Sequence, residues 1–362
     1  MDMRHPLATT IALAASLAAC DASSAAAPAQ PADPRIAANA VVPLDPFGLN
    51  GVTGRPGDAC VRPEHRQFDF WLGEWDVLDP TGETLLGTNV VERALDGCLV
   101  TESWTDAGGN RGRSINSYDA AEGSWVQMWV AAGGGFGGVL IMEGGLRGNR
   151  MVMSGDRVFA DFPGFVLRDT YEWTPLEDGT VRQYATVEPE VFSPWDGRYH
   201  RRDAITPAPE VINPTCGARA ASRELDFLLG RWRLSAGKGE GSANAAGAGS
   251  SIVTTDLSRC LIEERVSGPN GYEGWSFAVW SAIDHDWHRT YADNLGRRLV
   301  LRGGRSGDAI VLAGTRRGAN GEVVDVRVSW APSGTGVVQR WEYSRDGGAT
   351  WAAERTVHYV PD

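Results

Sequence analysis

The chain has 362 residues, with 46 acidic against 34 basic side chains and a formal net charge of −12. No basic block occurs, which argues against nucleic acid as a partner. No hydrophobic run beyond the N-terminal one approaches the length a helical span requires, and the remaining roughly 300 residues suit two domains.

The N-terminus comes first. Arg4 and His5 precede an apolar, alanine-rich run from Leu7 to Ala19, which ends Leu17-Ala18-Ala19-Cys20. A basic start, a short apolar core and small residues before the break mark residues 1–20 as a signal peptide, too short for a membrane span. The tetrad resembles the bacterial lipobox, in which the Cys becomes the lipidated first residue. That resemblance implies Cys20 as the lipidation site and a lipid-anchored protein of the bacterial cell envelope, on its periplasmic side. Acyl chains there would hold the surface at about 0.8 kcal/mol per buried methylene. Asp21 resembles the inner-membrane retention residue of enteric lipoproteins. Residues 21–57 are rich in Ala, Pro, Ser and Asp without apolar period, and read as a disordered tether.

An internal repeat organises the rest. Arg66-Gln-Phe-Asp-Phe-Trp-Leu-Gly-Glu-Trp75-Asp-Val77 returns 157 positions later as Arg223-Glu-Leu-Asp-Phe-Leu-Leu-Gly-Arg-Trp232-Arg-Leu234. Repeats of this kind fix the domain count. The expected layout is a first domain over residues 58–203, a proline-bearing linker over 204–215 and a second domain over 216–362. Each copy carries two cysteines, Cys60 and Cys98, then Cys216 and Cys260, with 37 and 43 intervening residues. In an oxidising compartment the simplest pairing is one disulfide within each copy. No His accompanies these cysteines at ligand spacing, so no metal site is assigned to them.

Within each copy, runs of five to eight residues rich in Val, Ile, Trp, Tyr and Thr alternate with Gly, Asp, Asn and Pro. Thr88–Leu95 parallels Ser251–Leu257, Leu99–Thr105 parallels Leu261–Ser267, and Trp125–Val130 parallels Trp287–Ala292. That punctuation predicts antiparallel strands, about eight per copy, closing into a barrel that removes its edges. The second copy inserts a Gly/Ala/Ser loop from Ala236 to Ser250. Phe68-Asp-Phe-Trp-Leu-Gly73-Glu-Trp75 resembles the start of lipocalin-like (calycin) barrels, where a short helical turn leads into a Gly-x-Trp strand. The longer pattern is similar to uncharacterised exported bacterial proteins of that superfamily. The resemblance implies an all-β fold of two tandem lipocalin-like antiparallel β-barrels. It also implies a basic residue of the last strand on that Trp: Arg201 or Arg202 in the first copy, with only Arg355 near the end of the second.

Candidate chemistry is sparse. The run Gly133–Gly138 contains G-x-G-x-x-G, but a strand follows it and a hairpin loop is the better reading. Asp284-His285-Asp286-Trp287-His288 gathers potential ligands, yet it aligns with a hairpin turn and reads as an exposed cluster rather than a metal site. Glu102 in the first copy and Glu264 in the second survive on the apolar face of a strand, where a carboxylate is costly unless hydrogen-bonded or paired. If that face is the inner one, strand parity places Trp104, Asn116, Gln127 and Trp129 beside Glu102, and Arg289 within reach of Glu264; the alternatives are an outward face or a structural ion pair at Glu102. Trp71, Trp104, Trp129 and Trp195 lack a Trp counterpart in the other copy, which nominates them for ligand contact. The candidate ligand-binding set is Trp71, Glu102, Trp104, Asn116, Gln127 and Trp129.

Three functions remain open. The first is a barrel that binds a small apolar or amphipathic molecule, with no cofactor. The second is a hydratase- or isomerase-like enzyme using Glu102 as acid or base. The third is a structural or interaction protein with filled barrels. A raised pKa for Glu102 in a deep cavity favours the enzyme.

Overall fold

The computed structural model describes residues 56–132, 138–191, 193–202, 216, 218–236, 249–317 and 322–362. The expected signal peptide with Cys20, the expected tether up to residue 55, the expected linker 204–215, most of the expected inserted loop and most of the Gly133 run lie outside the described residues.

Each copy closes into an antiparallel barrel in which strands adjacent in sequence are adjacent in the sheet. Barrel one consists of β1 (Gly73–Leu78), β2 (Leu85–Ala94), β3 (Leu99–Asp106), β4 (Arg111–Asp119), β5 (Ser124–Ala131), β6 (Val139–Arg147), β7 (Arg150–Val158), β8 (Val166–Pro175), β9 (Val181–Glu188) and β10 (Trp195–Arg201). Barrel two consists of β11 (Gly230–Ala236), β12 (Gly249–Asp256), β13 (Leu261–Ser267), β14 (Glu273–Trp280), β15 (Trp287–Asp293), β16 (Arg298–Ser306), β17 (Ala309–Arg317), β18 (Val323–Ser333), β19 (Gly336–Ser344) and β20 (Ala352–Pro361). The count is ten strands per barrel, not about eight. Strands such as β10 place Arg198 and His200 between inward Tyr199 and its neighbours, and this polar alternation conceals them from a search for apolar runs.

Two 3₁₀ turns, Pro63–Arg66 and Asp69–Trp71, lead into β1, and Ala221–Arg223 and Asp226–Leu228 lead into β11. The Gly-x-Trp tryptophans hold these turns across the barrel ends. Trp75 Nε1 donates to Trp71 O at 2.9 Å and Trp232 Nε1 to Leu228 O at 2.8 Å. Gly73 adopts φ +137°, and a Cβ there would lie 1.9 Å from Arg201 Nη1. That space lets the Arg201 guanidinium cover the Trp75 ring at 4.1 Å and donate to Leu72 O at 2.7 Å. Arg202 pairs instead with Asp76 at 3.1 Å. In barrel two the residue facing Trp232 is Pro361, yet β20 still pairs with β11 from Trp232↔Pro361 to Ala236↔Val357. Arg355 covers Trp341 rather than Trp232. Closure here is a matter of backbone pairing, with the arginine an addition.

The disulfides are Cys60–Cys98 and Cys216–Cys260, with Cα–Cα distances of 5.0 and 4.9 Å. Such bonds persist in oxidising compartments outside the cytoplasm. Both barrels belong to one compact unit. Each has its own interior core, and a third apolar cluster joins them from outside. Ile115, Met128 and Val130 of barrel one pack there with Trp275, Phe277 and Val279 of barrel two, beside both disulfides. Ion pairs rim the contact, among them Arg113–Asp256 at 2.7 Å and Arg298–Asp119 at 3.1 Å.

Elsewhere the outward faces carry cross-strand ion pairs: Arg150–Glu172 at 2.7 Å, Arg168–Asp156 at 2.9 Å and Arg182–Asp196 at 2.6 Å. A lipid-facing barrel would turn an apolar band outward and a polar lining inward. These barrels do the reverse, with Trp, Met, Leu and Val inside. Among the described residues no helix is long and apolar enough to cross a membrane.

Candidate functional site

Barrel one has a closed end and an open end. At the closed end Trp71, fully buried, stacks with Phe68 at 4.9 Å and contacts Trp173 at 5.6 Å and Tyr199 at 6.3 Å. Above Tyr199 lies a cavity of about 480 Å³ that runs to the other end, where Leu85, Leu86 and the Asp106–Gly108 turn line it. That volume falls in the range of small-molecule sites.

Its aromatic wall depends on glycines. A Cβ on Gly87 would fall 2.5 Å from the Trp104 ring, and one on Gly112 would fall 2.3 Å from the Trp129 ring. Bare backbone on β2 and β4 lets each indole lie across the neighbouring strand and face the cavity. Trp195 meets Trp104 edge-to-face at 5.9 Å, and donates from Nε1 to Gln183 Oε1 at 2.9 Å. Tyr199 donates to the same oxygen at 2.8 Å.

Glu102 sits in the wall of this cavity, 4 % exposed. Asn89 Nδ2 donates to Oε1 at 2.7 Å, and the Ser114 hydroxyl, directly opposite on β4, donates to Oε2 at 2.7 Å. A relay extends from there. Gln127 Nε2 donates to Asn116 Oδ1 at 2.7 Å, and Asn116 Nδ2 donates to Ser114 Oγ at 3.0 Å and to Val100 O at 3.1 Å. Burial pushes the Glu102 carboxyl up to about 7, with the Ser114 and Asn89 bonds opposing the shift. Burial likewise raises the phenols: Tyr171 to about 12, and Tyr199 well above its ordinary value.

Of the residues nominated by sequence, Glu102, Trp104, Gln127, Trp129 and Trp195 line the cavity together. Asn116 stands behind them as the link between Gln127 and Ser114, and Trp71 forms part of the closed end, neither of them lining the cavity. Sequence reasoning missed Asn89, Tyr171, Gln183 and Tyr199. Tyr171, Gln183 and Tyr199 reach the site from β8, β9 and β10, strands far away in sequence that only closure brings opposite Glu102. The alternating positions Leu167, Asp169, Tyr171 and Trp173 carried the available signal.

Barrel two carries the same frame with other side chains around its buried carboxylate. Register matches Glu264 to Glu102, Ser276 to Ser114, Gln339 to Gln183 and Tyr359 to Tyr199. Gln127, however, becomes Arg289, Tyr171 becomes Val328 and Ala185 becomes Trp341. The Arg289 guanidinium bonds Glu264 and covers Trp330 at 4.9 Å. Ser251 and Tyr359 complete the shell of Glu264 at 2.7 and 3.0 Å. Trp341 donates to Gln339 Oε1 at 2.8 Å.

His288, expected in an exposed cluster, is buried, with Nε2 2.6 Å from Asp284 Oδ2; only His285 is exposed. His288 lies on the outer face of β15, next to inward Arg289, and shares a small pocket with Val139, Ile141 and Val158 of barrel one, which explains its burial. Among the described residues no group of three His, Cys, Asp or Glu side chains is placed to hold a metal.

No family model matches the chain, and no curated protein matches it. Two solved structures align over most of it. One is a Bacteroides fragilis protein described as a "putative outer membrane protein", 10% identical, covering 81% of this chain and 98% of that one, with TM-score 0.19. The other is a protein of unknown function of the DUF3598 family from Nostoc punctiforme, 11% identical, covering 83% and 98%, with TM-score 0.16. At those TM-scores neither alignment bears on function. What the chain itself shows is two tandem ten-stranded β-barrels with a disulfide in each copy, the first barrel holding a cavity with aromatic walls around a buried carboxyl.

Proposed function

We propose that barrel one binds a small amphipathic molecule in its interior, and that barrel two is a filled structural partner. One observation carries this reading: a cavity of about 480 Å³, walled by Trp104, Trp129 and Trp195, converges on Glu102, Gln127 and Gln183. Aromatic walls with a few placed polar groups are the usual composition of a small-molecule site. An N-terminal lipid anchor at Cys20, if processed as its tetrad resembles, would hold this binding module at the envelope membrane, in keeping with the two disulfides.

The test is a titration of the chain with N-phenylnaphthylamine, a neutral apolar dye that brightens on leaving water. Saturable binding of one dye per chain, with quenching of tryptophan emission, is expected. A non-saturating response, or two equivalent sites, would count against it.

A second reading draws on one observation, the Glu102 carboxyl at about 7, where a group can both take and give a proton near neutrality. In that reading the captured ligand is hydrated or isomerised. Recovering a carried ligand by native mass spectrometry and incubating it with the protein would reveal the change in mass or retention time this reading requires.

A further inference from the structure

We propose that the ligand of barrel one is an organic cation, an amine or guanidinium on an apolar body, with its charged head at Glu102 and its body between Trp104, Trp129 and Trp195. This rests on the binding reading above and names the ligand class within it.

The argument starts from charge. The residues lining the cavity include two carboxyl groups, Glu102 and Asp106, and neither Lys, Arg nor His. A fatty acid or other anionic amphiphile would bring its carboxylate into a desolvated space already holding Glu102, with no cation to receive it. The groups facing Glu102 from the surrounding strands are Asn89, Ser114 and the phenols of Tyr171 and Tyr199, which stay neutral. Arg157 on β7 is the inward cation toward the open end. Asp169 holds it bidentate at 2.6 and 2.7 Å, and it does not line the cavity.

Barrel two supplies an internal template. At the position of Gln127 it carries Arg289, whose guanidinium bonds Glu264 and lies over the indole of Trp330. The second copy thus completes its buried carboxylate with a cation on an aromatic face, drawn from its own sequence. The first copy keeps the carboxylate, replaces the arginine with a neutral amide and leaves open volume lined with indoles. A cation entering that volume finds a carboxylate partner and cation–π surfaces together. A bound cation would also hold Glu102 ionised, so capture below about pH 7 expels a proton from the carboxyl.

Decylamine, decanol and decanoate share one chain length and differ in head charge. Each is competed against N-phenylnaphthylamine on the intact chain and on Glu102→Gln at neutral pH. Decylamine is expected to bind on the order of tenfold more tightly than decanol, with decanoate weakest, and in Glu102→Gln amine and alcohol should bind alike. Proton exchange gives a readout on the native chain alone. At pH 6 decylamine binding should release about one proton per chain and decanol none. An amine no tighter than the alcohol, or an amine preference that survives in Glu102→Gln, or no proton release, overturns the cation assignment while dye binding stands. Loss of dye binding itself would instead remove the binding reading on which the assignment rests.

Discussion

The two barrels began as copies, and they solve one problem in opposite ways. Each sets a glutamate on the inward face of its third strand, opposite a serine on the fourth and near a tyrosine on the tenth. Barrel two answers the buried charge with Arg289 and fills the remaining space with Trp341 and Val357. Barrel one places Gln127, Ala185 and Gly197 at those positions, leaving Glu102 with two neutral donors beside a cavity. A core selected for stability alone would not retain an unpaired carboxyl at such cost. The contrast teaches that the frame is shared and that the positions that differ decide whether the buried carboxyl meets a cation or a cavity.

The largest expected effect comes from making barrel two resemble barrel one. Arg289→Gln leaves Glu264 buried without its cation, a loss of about 3–5 kcal/mol near neutral pH. Urea denaturation at pH 7.5 checks this. A loss under about 1 kcal/mol would mean that the ion pair is not what settles barrel two.

Next comes Glu102→Gln, which keeps the shape and removes the charge. The folded carboxyl titrates near 7 against 4.5 for an ordinary one. The unfolded chain therefore releases this proton first, and stability falls as pH rises from about 4.5 through about 7, then stays level. The shift corresponds to roughly 3 kcal/mol at about 1.4 kcal/mol per unit. Glu102→Gln should thus match the native chain at pH 4 and exceed it at pH 8 by up to that amount. A variant that melts lower at pH 8 would show the charge to be a structural asset, as in barrel two.

Much of this was legible in the sequence. The repeat, the disulfide partners, the Gly-x-Trp turns and the shared parity of Glu102 with Trp104, Gln127 and Trp129 follow from local pattern and period two, while which way that face points did not. Two further things were not legible. The far wall of the cavity, with Tyr171, Gln183 and Tyr199, depends on closure of the sheet, which a strand-by-strand reading does not specify. The contact between barrels was also overlooked, although β5 signals it. Val126, Met128 and Val130 are apolar on the face opposite Trp125, Gln127 and Trp129, and a strand apolar on both faces is buried on both. Trp71, nominated because it has no Trp counterpart, packs in the closed end of barrel one where Leu228 stands in barrel two.

The most direct test of the central claim transplants the filler. Ala185→Trp puts into barrel one the indole that Trp341 supplies at the equivalent place in barrel two. The inward position of Ala185 on β9 aims it at the cavity. The account predicts a folded protein, with its two disulfides intact, that no longer binds N-phenylnaphthylamine in a saturable way. Undiminished binding of one dye per chain to Ala185→Trp would contradict it and place the site outside barrel one.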